Sequence, residues 1–299
     1  MTSTPGMQLR ELSVNDQPLP IAGTINAYCA LLAQRAGFDA IYLSGAGVAN
    51  AAFGLPDLGL TTREQVVAEA RRITSAVPLP LLVDADTGWE EESGGIAETI
   101  RQLVSVQAAG CHLEDQIPRK RCGHRPGKQL VSAAAASERI ATAVAARTDT
   151  SFVIMARTDA YSVEGLDAAI ARARQYVDAG ADMIFAEAMP GLDEYRTFCS
   201  AVSVPVLANM TEFGVTPLMP RQQLNEAGVR LALYPLSAFR AMSQAAERVF
   251  RAILSDGSQQ SVLDLMQTRE QLYDVLNYKL LEQRVDELLA EARQSPADN

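Results

Sequence analysis

The residues best suited to chemistry are charged groups that interrupt apolar runs. Asp84 and Asp86 close the run Pro80–Asp86, Glu114 and Asp115 close Gly110–Gln116, and Arg157 and Asp159 close Phe152–Asp159. Glu187 falls in Met183–Met189, Asn209 ends Pro205–Met210, and Thr211 and Glu212 follow it. Side chains alternate along a strand, so Asp84 and Asp86 share a face, as do Tyr42 and Ser44, and His112 and Glu114. Two carboxylates so placed repel unless a cation lies between them. A hard divalent ion that accepts carboxylates and keeps water or substrate oxygens fits best, which points to Mg2+. Asp57, in Leu55-Pro56-Asp57-Leu58-Gly59, can reach the same region. No cluster of His or Cys suits zinc. His112 lies deeper, as a satisfied core histidine or a support to the site.

A second constellation is the segment Pro118–Lys128, with five Lys and Arg, the thiol of Cys122 and one of the chain's two His, His124. The basic surroundings of Cys122 are expected to lower its pKa and favour the thiolate. Glycine and proline in the segment predict a mobile loop, a cationic lid that closes over a polyanion. A lid of this kind over Mg2+ suits an acid–base step on a di- or tricarboxylate. Arg157, Arg240 and Arg269 are candidate bidentate clamps for substrate carboxylates, although by periodicity alone Arg269 is a surface residue.

These residues require a scaffold that gathers strand ends. Eight apolar runs recur, Ile21–Asn26, Ala40–Gly45, Pro80–Asp86, Gly110–Gln116, Phe152–Asp159, Met183–Met189, Pro205–Met210 and Val229–Leu236. Stretches of helical period lie between them, clearest in Thr62–Val77, Ile96–Ala109, Ala133–Arg147 and Leu166–Ala179. Strand then helix, eight times, is the pattern of an α/β fold of the (β/α)8 TIM-type barrel, whose active sites sit at the C-terminal strand ends. No GxGxxG follows the first strand, which argues against a dinucleotide-binding open sheet. The reading is one barrel domain over residues 1–299, with 257–299 a helical extension. There Gln259–Thr268 and Glu270–Arg293 read as amphipathic helices, with Leu272, Val275, Leu276, Leu280, Val285, Leu288 and Leu289 as the apolar stripe. The stripe packs either on its own barrel or on a neighbouring subunit.

Composition bounds the rest. The chain has 299 residues, 26 Lys and Arg against 36 Asp and Glu, and a net charge of −10. That balance argues against non-specific binding to nucleic acid or an anionic membrane. Cys29, Cys111, Cys122 and Cys199 are widely spaced, as expected for free thiols in a reducing compartment. With no signal peptide or spanning segment apparent, a cytoplasmic protein is expected.

The segment Glu114-Asp115-Gln116…Lys120-Arg121-Cys122-Gly123-His124 resembles the signature of the isocitrate lyase / phosphoenolpyruvate mutase superfamily. Supporting blocks are Ala40–Gly45, Leu81–Asp86, Val153–Asp159, Leu207–Gly214 and Ala232–Arg240, so the likeness runs from about Gly23 to Tyr273. It implies a Mg2+-dependent lyase that cleaves 2-methylisocitrate to pyruvate and succinate. It also implies homotetramers that exchange the eighth helix between barrels, which moves the extension toward the inter-subunit reading. By position, Asp84 and Asp86 become the metal carboxylates, with Asp57 and Glu114 holding metal-bound water. Ser44, Gly45 and Ala46 become substrate contacts, and Cys122, Gly123 and His124 the catalytic loop. Arg157, Glu187, Asn209, Thr211, Arg240 and Arg269 become the remaining substrate contacts. Cys122 is then the acid that protonates the carbanion, and Tyr42 the candidate base, with Arg157 lowering its pKa.

Three departures from the family pattern stand out. Ala46 replaces a glycine, Gly127 stands where relatives often have Asn, and Glu90–Glu92 add charge beside the metal carboxylates. The acidic run is expected to be a solvated loop. Rival readings are isocitrate lyase or dimethylmalate lyase activity and, more remotely, a non-catalytic carboxylate-binding barrel.

Overall fold

A computed structural model describes residues 3–118 and 120–294. Among these, eight strands close into a barrel in sequence order, every neighbouring pair parallel. They are β1 (Leu19–Thr24), β2 (Ala40–Leu43), β3 (Leu81–Asp84), β4 (Gly110–Glu114), β5 (Val153–Thr158), β6 (Met183–Ala186), β7 (Val206–Asn209) and β8 (Leu231–Tyr234). All eight expected strands are present, as the (β/α)8 reading requires.

The helices are α1 (Pro5–Leu12), α2 (Ala27–Arg35), α3 (Gly45–Phe53), α4 (Arg63–Ala76), α5 (Gly95–Ser105), α6 (Ala133–Ala146) and α7 (Tyr161–Glu164). They continue with α8 (Leu166–Asp178), α9 (Leu192–Ala201), α10 (Arg221–Glu226), α11 (Ser237–Asp256), α12 (Arg269–Val275) and α13 (Tyr278–Gln294). Local chemistry explains several boundaries. Thr62 and Gln65 form a reciprocal capping box at α4, and Asn26 and Ser132 cap α2 and α6. Helix α1, not anticipated from the sequence, begins at the Thr4 cap followed by Pro5. It buries Leu9 with the interior residues of the barrel, and Arg10 bonds the carbonyl of Ser151 at 2.8 Å.

Alternation divides each strand between two cores. Ile41, Leu43, Leu81, Val83, Ile154, Ala156, Ile184 and Ala208 pack outward with the helices. Leu19, Ile21, Tyr42, Leu82, Met155, Phe185, Leu207 and Leu233 fill the interior. The inward column fixes the site: Asp84 follows Leu82, Arg157 follows Met155, Glu187 follows Phe185 and Asn209 follows Leu207, each two residues on. Asp115 and Thr158 have the opposite parity. They bond to each other at 2.8 Å, and Tyr176 of α8 donates to Asp115 at 2.9 Å.

The chain divides into two compact units, Met1–Phe239 and Arg240–Asn299, so the division falls inside α11 and not at residue 257. In the second unit the expected helix Gln259–Thr268 is a 3-10 turn, Gln260–Leu265. The expected continuous helix Glu270–Arg293 is interrupted: α12 stops at Val275, and Asn277 takes φ 52° before α13 begins. Asparagine tolerates that left-handed conformation, which ends one helix and redirects the chain.

Candidate active site

The inward column and its loops form two adjoining groups at the C-terminal rim. The first centres on Lys120. Its ammonium lies 2.8 Å from Asp57 and 2.5 Å from Asp86, and it is buried. These carboxylates, with Asp84 and Glu114, overcome the cost of burial and hold the lysine well above its ordinary pKa. Asp84 accepts the backbone N–H of Gly45 at 3.0 Å and that of Asp86 at 3.1 Å. Burial opposes its ionisation, but His112, Lys120, Arg157 and the Asp86 N–H hold its pKa low. Asp86 rises to about 6 because burial and Asp84 outweigh Lys120.

Strand alternation does not account for the Asp84–Asp86 pair. The strand ends at Asp84, and Asp86 stands in a turn at φ 47°. Ser44 likewise lies past its strand. Its hydroxyl caps α3 by accepting the Gly47 N–H at 3.2 Å, and Ala46 is half-buried in the first turn.

The donor set is hard oxygen, as Mg2+ requires, and one group lacks satisfaction. Both carboxyl oxygens of Glu114 are buried with no hydrogen-bond partner, and the nearest cation, Arg157, is 3.5 Å away. Burial pushes its pKa well above the usual carboxylate range, against Arg157 and Lys120. A buried acceptor of this kind suits water held on a cation. Among the described residues no three His, Cys, Asp or Glu enclose a metal-sized point. Mg2+ does not need such a cage, since it commonly binds through one or two carboxylates and retains waters. The residues fit that mode.

Tyr42 and His112 lie beneath. The phenol is 2.9 Å from Nε2 of His112, which is 3.5 Å from Asp84, and the His112 ring meets Phe185 edge-on. The expected lowering of Tyr42 by Arg157 is present in sign but not in outcome. Burial and Asp84 dominate and hold the phenol well above its ordinary value. Burial also lowers His112 to about 4, so its imidazole is neutral at pH 7.

The second group joins the Cys122 loop to β5, β6 and β7. Arg157 binds Asp159 through two hydrogen bonds of 3.0 and 3.2 Å, lies 3.9 Å from Glu187 and stacks over Phe185. This candidate clamp is therefore already braced by the chain's own carboxylates. Val215 donates its N–H to Nδ1 of His124 at 3.0 Å, which leaves Nε2–H to face Glu187 at 3.1 Å. Asn209 adds an N–H at 3.4 Å to Glu187 and keeps its buried Oδ1 unpartnered. Glu187 falls to about 2 although burial opposes it, because Arg157, His124 and Lys128 favour the carboxylate. Thr211 is buried just past β7.

Cys122 departs from expectation. Its basic neighbours were expected to release the proton, but the thiol is largely enclosed, and burial raises its pKa. The charges of Lys120 and Lys128 are spent on Asp57, Asp86 and Asp159, so they do not activate sulfur. A thiol that keeps its proton is the form a proton donor requires. Next to it, a Cβ on Gly123 would lie 2.2 Å from Glu187 and 2.4 Å from Arg157, so only glycine lets the loop approach this closely. Gly127 has φ 80°, a conformation open to glycine or Asn.

The acidic run lies in a solvent-exposed loop as expected, but two of its three carboxylates are also paired. Glu90 forms a two-point pair with Arg139, at 3.1 and 2.6 Å, and Glu92 accepts the Arg63 N–H at 3.2 Å. Arg139 also donates to the carbonyls of Glu114 and Gln116, which fixes the end of β4. The sequence shows these charges but not their partners, which lie 49 residues away for Glu90 and 29 for Glu92. Arg240 and Arg269 are exposed residues of the C-terminal unit.

A closed barrel with a carboxylate rim and a cysteine loop defines the class, and comparison agrees. Residues 9–254 match the family model described as phosphoenolpyruvate phosphomutase, and the chain belongs to the phosphoenolpyruvate mutase/isocitrate lyase superfamily. It is 54% identical to 2-methylisocitrate lyase of Shewanella oneidensis, over 97% of this chain and 99% of that one. It is 43% identical to the protein of that name from Aeropyrum pernix, over 97% and 93%. A crystal structure of 2,3-dimethylmalate lyase superposes with a TM-score of 0.87 at 32% identity, covering 100% of this chain and 98% of that one.

Proposed function

We propose that this chain is a Mg2+-dependent carbon–carbon lyase that cleaves 2-methylisocitrate to pyruvate and succinate in propionate breakdown by the methylcitrate cycle. Identity above one half over almost the full length of relatives with that name supports the substrate. The observation that carries the chemistry is the seating of the Cys122–Gly123 turn against Glu187 and Arg157, at the rim that bears the paired carboxylates, with the half-buried Cys122 thiol raised in pKa by burial.

Cleavage turns the hydroxyl-bearing carbon into the ketone of pyruvate and leaves a carbanion on the succinate half, delocalised into its carboxylate. Cys122 donates its proton to that carbon and becomes the thiolate. Tyr42 is the candidate base that takes the proton of the substrate hydroxyl, its phenol oxygen oriented by the neutral His112 2.9 Å away. Arg157, His124 and Asn209, braced around Glu187, orient the departing carboxylates, together with Gly123 and Thr211. Ser44, Gly45 and Ala46 present the start of α3 to substrate oxygens. Asp84 and Asp86, with Asp57 and Glu114, would hold Mg2+ and its waters. When bound, the ion polarises the hydroxyl and carboxylate of the pyruvate half.

The assembly belongs to the same proposal: a cytoplasmic homotetramer in which α11 and the extension pack on a neighbouring subunit, with Arg240 and Arg269 completing the set of substrate contacts. Phe250 and Leu254 of α11 are 66% and 87% exposed, as unpaired interface residues would be. No helix of the described residues is long and apolar enough to cross a membrane.

The metal requirement is tested by chelation. Pyruvate formation from 2-methylisocitrate should stop after EDTA treatment and return with Mg2+. Full activity after exhaustive chelation would contradict the metal assignment.

A further inference from the structure

Lys128 is buried although charged, and it has no part in the reaction above. Its side chain is 2% exposed. The ammonium donates to the carbonyl of Gly123 at 2.5 Å and to Asp159 at 2.9 Å. Asp159 is the carboxylate that Arg157 grips through two bonds. Its backbone N–H is in turn fixed on Asp115, at 2.9 Å, under α8. One cation thus ties the peptide that follows Cys122 to a rigid strand end and to the guanidinium at the centre of the site. The base of the loop has a separate fastening, since Gln116 exchanges hydrogen bonds of 2.9 and 3.0 Å with the backbone of Arg121. The two fastenings divide the work: Gln116 sets where the loop starts, and Lys128 sets how closely its tip approaches Glu187 and Arg157.

We propose that Lys128 is a positioning residue, a latch that holds the Cys122–Gly123 tip in its closed, water-excluding position. A buried ammonium is retained only if its partners are also buried and paired, and here both are. Without the ammonium, the Gly123 carbonyl and Asp159 lose a common partner, and the close approach that glycine permits is no longer enforced. The thiol then samples solvent, and its aim at the carbanion is lost.

The proposal rests on the lyase reading for its catalytic consequence but not for its conformational one, and the two are measured separately. In the substrate-free full chain, alkylation of Cys122 by iodoacetamide is followed by peptide mass mapping, with Cys199 as an internal reference. Lys128→Met should raise the Cys122 rate about tenfold or more, as expected for local opening, and leave Cys199 unchanged. Lys128→Gln, which keeps an N–H donor but loses the charge, should fall between wild type and Met. With 2-methylisocitrate, kcat of the Met variant should fall ~10–100-fold, more than KM changes, since a misplacement of about 1 Å costs that much. A Cys122 alkylation rate equal to wild type in both variants would overturn the latch, whatever happens to kcat. Accelerated alkylation in a protein that makes no pyruvate even as wild type would uphold the latch and sink the lyase reading.

Discussion

Charges lie buried at the rim of the barrel, whereas in the C-terminal segment apolar side chains lie exposed. Asp84, Glu114, Lys120, Arg157 and Glu187 are each less than a tenth exposed. Leu280, Val285 and Leu288 are each more than half exposed. Folding alone favours neither arrangement. Buried charge is costly even when paired, and a bare apolar stripe invites association. Each region breaks the ordinary partition in the opposite sense. The buried charges of the rim suit the polyanionic substrate and cation proposed for it, and the exposed stripe of the tail suits the proposed packing on a second subunit.

The largest effect should come from the rim. Cys122→Ser removes the proposed proton donor and keeps its size, so kcat for 2-methylisocitrate should fall ~10²–10⁴-fold while calorimetry still detects substrate binding. A kcat near wild type would break the assignment of the rim as an acid–base site built on this thiol.

A smaller effect, in a different observable, should come from the tail. Leu280→Asp with Leu288→Asp places two charges on the exposed stripe of α13. Sedimentation velocity should show a smaller species than wild type, with the far-ultraviolet circular dichroism of the barrel retained. An unchanged sedimentation coefficient would separate the tail from assembly and end the parallel between the regions.

Much of this was legible in the sequence for one physical reason. Strands buried on both faces are nearly all apolar, so Asp84, Glu114, Arg157, Glu187 and Asn209 stand out at their ends. What stayed hidden needs the folded partners. Lys120, Lys128 and Arg139 look like members of charge runs until Asp57, Asp159 and Glu90 are placed beside them. The arginines and lysines that suggest a thiolate at Cys122 are visible in the sequence, whereas the burial that raises its pKa is not. The break at Asn277 is hidden in the sequence because the apolar stripe continues through it, and a single left-handed residue does not disturb composition.

The smallest effect concerns stability. Glu187 titrates near 4.5 when unperturbed and near 2 in the folded chain, with burial overcome by Arg157 and His124. Its folded pKa is depressed, so its contribution is fully present above about pH 4.5 and fades as pH falls toward 2. The Tm difference between wild type and Glu187→Gln should therefore be largest near neutrality and narrow steadily below pH 4.5. A difference independent of pH would mean that the carboxylate is not held by its cationic neighbours.

Substrate identity is the central claim, and one comparison tests it most directly. Purified protein with Mg2+ is given 2-methylisocitrate, isocitrate and 2,3-dimethylmalate in parallel, and release of pyruvate, glyoxylate and pyruvate respectively is followed to obtain kcat/KM. A pocket shaped for the extra methyl should favour 2-methylisocitrate over isocitrate by about tenfold or more, the worth of one such group in an apolar pocket. It should favour 2-methylisocitrate over 2,3-dimethylmalate as well. A higher kcat/KM on either rival would contradict the account.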